Sequence, residues 1–431
     1  MTHYDDLDFE TLAVHAGEEA DPETGAVHIP LHLSSTFKLP KFGDKLLEAL
    51  QLKTSRAPHV YTRWSNPTLR ALEDRLVALE APQGLPDHST PTAIVFATGM
   101  AAVSSLVFTF LNKGDHLIAS EVCYAGSVEL FGLHLPRFGI EVSLVDTSDP
   151  ELVRAALRPN TKMIYIETPA NPILRITDIA VMAEIAHSAN IPLVVDSTFA
   201  SPVLQKPFDL GADFVIHSLT KYLNGHGDAL GGVILGREAD ILKIRQDMLL
   251  HLGGAMSPFN GNLIMRGLVT LPLRMKQHCA STMKVAKFLE NHPKVEKVIY
   301  PGLESHPHHS LAMKQMTDFG GMLSFRLKGG LGATISLFEK IKIFTYATSL
   351  GHAHSLLFFY PTEMFFDSAP YLSKEQKKSI REWTGDGIIR ASIGLENAED
   401  LMADLDQALR SKTVRGVAGP LVYKILKGKK K

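Results

Sequence analysis

The chain has 431 residues, of which 45% are hydrophobic and 21% are charged, and its formal net charge is −2. These are ordinary globular values, and the length allows two or three domains around a large core. The near-zero net charge excludes a protein-wide field that would attract nucleic acid or an anionic membrane. A basic run at 424–431 is the local exception, and we interpret it as a solvated terminus rather than a binding element.

The cysteine count and the chain's apolar stretches indicate the compartment. Two cysteines, Cys123 and Cys279, are too few for a disulfide framework and suit a reducing environment. The first residues are polar and acidic, unlike a signal peptide. The longest apolar stretch, near 101–111, contains serines and is far shorter than the ~20 residues that span a bilayer. We therefore expect a cytoplasmic protein that binds neither membrane nor nucleic acid.

The hydrophobic pattern predicts an α/β fold. An irregular segment rich in Pro, Ser and Thr comes first. From about 92 to 233, strand-like apolar runs then alternate with helical segments; the runs are 93–96, 116–118, 141–145, 163–166, 193–195, 213–216 and 232–235. Such alternation is typical of a mainly parallel, doubly wound sheet.

The pattern changes after residues 257–258. We predict a long helical stretch from 260 to about 291, followed by strand-like segments at 295–300 and 321–328. This change favours a smaller C-terminal α+β domain. We place the divisions at 1–62 for an N-terminal arm, 63–262 for a large α/β domain and 263–431 for the C-terminal domain.

Three short patterns follow predicted strands and suggest a shared site. At 95–102 an apolar run breaks at Thr98 and Gly99 into a helix, whose first free N–H groups could bind a phosphate. Asp196 ends the buried run 191–195, where open α/β sheets bind ligands. Lys221 follows the apolar run 214–216 and is flanked by hydroxyl-bearing residues and glycines.

Each pattern also has an ordinary structural explanation when it is taken alone. Thr98 could be a simple N-cap, Asp196 could cap the next element, and Lys221 could be a solvated surface charge. Together they provide what pyridoxal 5′-phosphate (PLP) requires, namely a lysine that bonds to the cofactor, an acid beside the pyridine nitrogen and an anion site. We therefore predict a PLP enzyme.

These residues lie within ten segments that resemble, in order, the Cys/Met metabolism group of PLP enzymes, which includes cystathionine γ-synthase, cystathionine and methionine γ-lyases and O-acylhomoserine sulfhydrylases. The segments are 12–17, 34–37, 61–68, 98–101, 167–172, 195–199, 217–228, 257–260, 349–351 and 390–396. The resemblance implies a fold-type I PLP-dependent transferase. It also implies an N-terminal arm that reaches the neighbouring subunit and a homo-oligomer, expected to be a dimer of dimers.

The resemblance assigns a role to each matching residue. Lys221 and Tyr124 would be catalytic, with Tyr124 also stacked on the cofactor ring. Cofactor binding would involve Lys221, Asp196, Gly99, Met100, Ser218, Thr220, Tyr61, Arg63, Tyr124 and Asn171, of which Tyr61 and Arg63 come from the partner. The substrate would be bound by Arg390, Ser349 and His354. We expect no metal, because the histidines at 306, 308 and 309 lack helical spacing and a carboxylate partner.

Several positions depart from the usual pattern of the family. Thr98, Ser197, Ala125 and Gly227 replace Ser, Asn, Gly and Ser respectively, and we expect cofactor binding to survive these small changes. His354 stands near the position where many relatives carry an acidic residue. An imidazole there should disfavour a cationic distal group, which favours a short neutral side chain in the substrate.

The predicted activity is carbon–sulfur γ-lyase chemistry on a sulfur amino acid, with 2-oxobutanoate, ammonia and a thiol as products. The alternative is γ-replacement by a sulfhydrylase or synthase, and the segments 253–260 and 270–275 look most like those of sulfhydrylases. An alternative of another class is a non-catalytic PLP-binding protein. It would be expected to lack Lys221, Asp196 or Arg390, and all three are present.

Overall fold

The computed structural model describes residues 7–410, so the basic run at 424–431 lies outside the described residues. A seven-stranded sheet has the strand order β1-β7-β6-β5-β4-β2-β3. Its strands are β1 (Pro91–Phe96), β2 (His116–Ser120), β3 (Glu141–Val145), β4 (Thr161–Glu167), β5 (Leu193–Asp196), β6 (Phe214–His217) and β7 (Gly232–Arg237). Only β7 runs against its neighbours in this sheet. The predicted α/β class and mainly parallel sheet are confirmed.

Alternating side chains on these strands enter two separate cores. Ile164, Ile166 and Val195 belong to one buried cluster, whereas Tyr165 and Val194 belong to the other. Because successive strand residues point to opposite faces, a sheet covered on both sides needs near-continuous apolar runs. This requirement explains why the seven runs could be recognised in the sequence.

Helices cover both faces of this sheet and link its strands. Those up to the end of the sheet are α1 (Phe9–His15), α2 (Asp44–Gln51), α3 (Pro67–Glu80), α4 (Gly99–Phe110), α5 (Ala125–Glu129), α6 (Pro150–Ala156), α7 (Ile179–Ser188) and α8 (Ser201–Leu204). Short 3₁₀ turns occur at Leu135–Phe138 and Phe208–Leu210, and π-helical turns at Leu130–His134 and Arg245–Leu249.

The helical stretch predicted from 260 to about 291 consists of two helices. They are α11 (Pro258–Val269) and α12 (Leu271–Glu290), and they follow α9 (Glu238–Ile244) and α10 (Leu250–Leu252). Pro272 lies in the first turn of α12. Proline has no N–H to continue the preceding ladder but is tolerated in a first turn, so the helix ends and restarts at this point.

A second, five-stranded sheet has the order β10-β11-β12-β9-β8. The strands are β8 (Val295–Ile299), β9 (Met322–Leu327), β10 (Thr345–Tyr346), β11 (Leu356–Pro361) and β12 (Gly387–Ser392), and the remaining helices are α13 (His309–Gln315), α14 (Gly330–Phe338), α15 (Thr362–Ser368), α16 (Lys374–Thr384) and α17 (Ala398–Arg410). The hydroxyl of Ser324 on β9 donates to the carbonyl of Pro172 at 2.7 Å. This bond joins the second sheet to the loop after β4.

The N-terminal segment carries several exposed apolar side chains. Val27, Leu33 and Phe42 are 78%, 67% and 98% exposed. Thr36 and Tyr61 form an isolated antiparallel bridge that holds the segment together. Within residues 7–410, no helix is long and apolar enough to cross a membrane.

Candidate active site

The carboxyl ends of the parallel strands bring the predicted residues to one edge of the large sheet. Asp196 is the last residue of β5 and is opposite Glu167, the last residue of β4. Asp196 Oδ2 accepts a hydrogen bond from the Tyr165 hydroxyl at 3.1 Å, and Oδ1 accepts one from the Thr198 hydroxyl at 2.6 Å. Burial raises the pKa of Asp196 despite these bonds. A positively charged nitrogen beside this carboxyl would favour its ionised form, which fits a protonated pyridine ring.

The predicted phosphate site is formed by backbone groups that approach one another closely. Thr98 caps α4 by accepting the Ala101 N–H at 3.0 Å. A Cβ on Gly99 would lie 3.2 Å from both Cβ and Oγ of Ser218, and a Cβ on Gly232 would lie 2.4 Å from the Thr98 carbonyl oxygen. Glycine at 99 and 232 therefore keeps the helix N-terminus against Ser218. The resulting cradle suits an anion.

Thr220 was predicted to bind the phosphate through its hydroxyl. In the structure that hydroxyl accepts the Gly231 N–H at 3.1 Å and contacts the Gly231 carbonyl at 3.2 Å. Thr220 thus fixes the turn after β6 against the start of β7, close to the cradle in sequence. Its role in phosphate binding stays a prediction.

Lys221 lies in the turn after β6 and extends toward a segment of the second sheet. Its Nζ donates to Ser349 Oγ at 2.9 Å. A Cβ on Gly351 would lie 2.7 Å from the Tyr222 nitrogen, so only glycine permits this approach of the two backbones. Burial, assisted by the positive charge of Arg390, lowers the pKa of Lys221 to about 8. The amine is therefore more readily deprotonated than an exposed lysine.

Arg390 on β12 is buried and makes two directed hydrogen bonds. Nη1 donates to Asn171 Oδ1 at 2.8 Å and Nη2 donates to the Ser349 carbonyl at 2.9 Å. Its guanidinium also lies over the Tyr360 ring, 5.2 Å from the centroid. These contacts fix the orientation of the guanidinium, which would suit it for holding a carboxylate.

Tyr124 lies at the start of α5 and is 48% exposed. Its N–H donates to Glu167 Oε2 at 2.9 Å, while the other oxygen of Glu167 accepts the Asn171 N–H at 2.7 Å. A Cβ on Gly126 would lie 2.7 Å from Cε1 of Tyr124, so glycine leaves room for the ring. Burial, followed by the neighbouring Asp196 carboxyl, raises the pKa of Glu167 well above its ordinary value.

Three predicted residues are not joined to this cluster by hydrogen bonds or ion pairs among the described residues. Arg63 donates to the Leu250 carbonyl and lies 5.6 Å from the centroid of the Tyr61 ring. His354 is exposed on the segment after β10. In the part of the chain that the structure describes, neither Tyr61 nor Arg63 forms a hydrogen bond or an ion pair with the phosphate cradle.

Four contributors were missed in the sequence: Glu167, Thr198, His352 and Tyr360. Glu167 and Thr198 lie in segments that we recognised, and their positions at or just after strand ends could have identified them. Tyr360 lies on β11, two residues after Phe358, so both side chains point to the same face of the strand. Phe358 is paired with Arg390 on the neighbouring strand β12. No local pattern identifies His352, whose ring lies near Gly227 and whose Nε2 lies 3.1 Å from the Ser349 hydroxyl oxygen.

Comparison with known proteins gives consistent matches over nearly the whole chain. The sequence profile of the Cys/Met metabolism PLP-dependent enzymes matches residues 10–410. The L-methionine gamma-lyase of Treponema denticola is 41% identical over 409 residues, covering 94% of this chain and 97% of that protein. The cystathionine gamma-lyase of Bacillus subtilis is 40% identical over 401 residues, covering 93% and 99%. The crystal structure of metB from Corynebacterium glutamicum has a TM-score of 0.83 and 39% identity, covering 94% and 98%.

The profile match includes every predicted site residue from Tyr61 to Arg390. The buried carboxyl of Asp196, the glycine cradle and the lysine with a lowered pKa fit the cofactor that the family uses. The chain therefore belongs to the Cys/Met metabolism PLP-dependent enzyme family, as its sequence predicted, and its cofactor is pyridoxal 5′-phosphate.

Proposed function

We propose that the protein is a carbon–sulfur γ-lyase that performs α,γ-elimination on a sulfur amino acid. The main structural argument comes from the position of Ser349. Its hydroxyl accepts a hydrogen bond from Lys221, and its carbonyl accepts one from Arg390. An amino acid whose carboxylate is held by Arg390 would have its Cα close to the Lys221 amine. The two relatives named gamma-lyases, at 40% and 41% identity, favour elimination over replacement.

Each residue has a defined task in this proposal. Arg390 holds the substrate carboxylate, and its contacts with Asn171 and Ser349 fix its direction. Lys221 removes a proton from Cα and then one from Cβ, so the bond from Cγ to sulfur can break. Bound PLP supplies the electron sink for these deprotonations. Tyr124 serves as a second acid/base and donates the proton that the departing sulfur takes up.

The substrate that we propose has a short neutral side chain, such as that of methionine. His354 is exposed, and it lies two residues from His352, which contacts Ser349. Phe358 pairs with Arg390 across β11 and β12, and Tyr346 stacks on Phe358 with 5.8 Å between ring centroids. An imidazole together with an aromatic surface offers nothing that would pair with a cationic distal group.

The direct test is to offer purified, PLP-loaded protein L-methionine, L-cystathionine and O-acetyl-L-homoserine separately, with and without sulfide. 2-Oxobutanoate and ammonia formed from methionine without added thiol would support the lyase. Homocysteine formed from O-acetylhomoserine only when sulfide is present, with methionine inert, would make the protein a sulfhydrylase. Lys221→Ala protein is the control for cofactor-only chemistry.

The remaining proposals concern assembly and location. We propose a cytoplasmic dimer of dimers, divided within each chain at 1–62, 63–262 and 263–431, in which the arm reaches the neighbouring subunit. The exposed apolar side chains Val27, Leu33 and Phe42 support an arm that another chain covers. Tyr61 and Arg63 would then complete the neighbour's phosphate site.

Mixing two inactive variants tests the shared site. Arg63→Ala chains and Lys221→Ala chains should each be inactive alone, while a refolded mixture should regain activity. In a mixed dimer, the site with an intact Lys221 would receive an intact Arg63 from its partner. A mixture that stays inactive, although mass measurements show mixed dimers, would contradict the shared site.

A further inference from the structure

A histidine that the proposed reaction does not use lies two hydrogen bonds away from Lys221. Lys221 Nζ donates to Ser349 Oγ at 2.9 Å, and the same oxygen lies 3.1 Å from His352 Nε2. The three polar atoms therefore form a continuous chain from the amine through the hydroxyl to the imidazole. His352 is half-buried at the end of this chain.

The direction of the hydrogen bonds follows from what each group can donate. A lysine ammonium has only donors, so the Ser349 oxygen accepts from it. The single hydroxyl proton of Ser349 is then available for His352, and Nε2 must accept it. His352 is accordingly the tautomer with its proton on Nδ1. In this state the imidazole can take up a second proton at Nε2.

The backbone around His352 leaves room for its ring. A Cβ on Gly227 would lie 2.9 Å from Nδ1 and 3.1 Å from Cε1 of His352. Gly227 precedes Asp228 in the turn that follows Lys221, and its φ of +73° also favours glycine. Ser349 has a φ of +75°, an uncommon conformation for a residue with a side chain. The bond from Arg390 to its carbonyl holds it there.

The charges near His352 favour its neutral form at physiological pH. Burial lowers the pKa of His352, and electrostatic interactions with Lys221 and His354 lower it further, while Asp228 acts in the opposite direction. Lys221 lies across the Ser349 bond, His354 is on the same segment and Asp228 is in the turn after Lys221. His352 loses its proton before Lys221 does, so it is an available acceptor when the lysine is still charged.

We propose that His352 is a positioning residue that acts through Ser349 to accept the proton that Lys221 must lose. One proton moves from Nζ to Ser349 Oγ while the hydroxyl proton moves to His352 Nε2. The products are a neutral amine and an imidazolium, so the total charge does not change. This inference rests on the proposed role of Lys221, and it holds for elimination and replacement alike.

The test measures the protonation of Lys221 without any substrate. Cofactor-free protein is treated with a small acylating reagent, and modification of the Lys221 peptide is timed by mass spectrometry from about pH 5 to pH 9. For an isolated lysine, the rate below its pKa falls about tenfold per pH unit. When one proton is shared with His352, a constant fraction of molecules keeps a neutral amine. The wild-type rate should therefore fall clearly less than tenfold per unit over part of the range below about pH 6.5, until His352 itself is protonated and the full slope returns.

The variants separate proton acceptance from packing. His352→Gln keeps a hydrogen-bonding side chain that cannot be protonated, and it should restore the full slope of about tenfold per unit. Ser349→Ala breaks the chain in the middle and should give the same slope. His134→Gln, the same change at an exposed histidine outside the site, should keep the shallow wild-type slope. His352→Asn provides a second neutral variant, and melting temperature with PLP content shows which proteins are folded.

Two results would overturn the inference. A wild-type slope of about tenfold throughout would show that no proton is shared. A shallow slope that persists in folded His352→Gln protein would show that a group other than His352 shares the proton. Because no amino acid is present, these outcomes do not depend on the products formed from methionine, so failure of the proposed function would be seen separately.

Discussion

The two sides of the active site are built differently. Asp196, Ser218 and Lys221 lie at or just after buried strands of the large sheet, so the ladder fixes their backbones. Ser349 and His352 lie between the two-residue strand β10 and β11, held by side chains such as Arg390 and by the close approach at Gly351. The first side is held by the backbone ladder of the sheet, whereas the segment at 349–354 depends on a few side-chain bonds and on one close backbone contact at Gly351.

The prediction with the largest expected effect concerns the reactivity of Lys221. The rate at which cofactor-free protein captures PLP should rise with pH and level off above about 8, because burial and Arg390 lower the lysine pKa to that value. Below it the ammonium form predominates and cannot bond. At neutral pH the fraction of Lys221 in the free-amine form should exceed that of an ordinary lysine by about 10²-fold.

Rapid-mixing absorbance gives this capture rate. A rate that kept rising to the ordinary lysine pKa of 10.5 would contradict the burial of Lys221 in the cofactor-free protein. A Ser349→Ala variant would sharpen the contrast between the two sides. In this variant, the pH at which the capture rate levels off should stay near 8 if burial dominates the Lys221 pKa. It should shift if the contact with the Ser349 hydroxyl dominates.

The next effect concerns the residue that joins the two sides. Arg390→Lys should raise KM for the amino acid about 10–100-fold with a smaller change in kcat. A single ammonium group cannot hydrogen-bond to Asn171, to the Ser349 carbonyl and to both oxygens of a carboxylate at once. Steady-state kinetics provides the measurement. Arg326→Lys on the neighbouring strand β9 changes an arginine whose ion pair is with Glu296, and should leave KM unaltered. Equal effects in both variants would indicate a general disturbance of the second sheet.

Two glycines with nearly the same φ test how closely the loop is packed. Gly351 has φ +71° with the Tyr222 nitrogen 2.7 Å from its added Cβ, whereas Gly25 has φ +72° with nothing within 4 Å. Gly25→Ala should cost about 1 kcal/mol of unfolding free energy and Gly351→Ala about 2–4 kcal/mol, because the latter adds a backbone clash. Denaturant unfolding measures both, and equal losses would mean that the loop moves aside freely.

The smallest effect concerns substrate choice at the exposed end of the loop. His354→Glu should shift the ratio of kcat/KM for cystathionine over methionine upward by about two- to fivefold, since a carboxylate attracts the distal ammonium group. The effect is small because His354 is exposed. His134→Glu makes the same charge change at an exposed histidine outside the site. An unchanged ratio in His354→Glu would end the specificity hypothesis.

The difference between the side built on the large sheet and the segment at 349–354 also explains which residues could be predicted from the sequence. Strands covered on both faces give continuous apolar runs, so Asp196 and Lys221 could be located by their position after such runs. The break between α11 and α12 was missed, although Pro272 marks it. His352 could not be predicted, because its link to Lys221 runs through the Ser349 hydroxyl and its ring packs near Gly227, and the segment at 349–355 carries no periodic pattern.

One hydroxyl is hydrogen-bonded to both ends of the proposed cofactor site. Thr198 Oγ1 donates to Asp196 Oδ1 at 2.6 Å and accepts the Ser218 N–H at 2.8 Å. The acid at one end of the proposed cofactor site and the serine at the other are thus tied to a single atom, and the distance between them has little freedom to change. We therefore expect a pyridine analogue with a phosphate arm one bond longer to contact only one end of the proposed site.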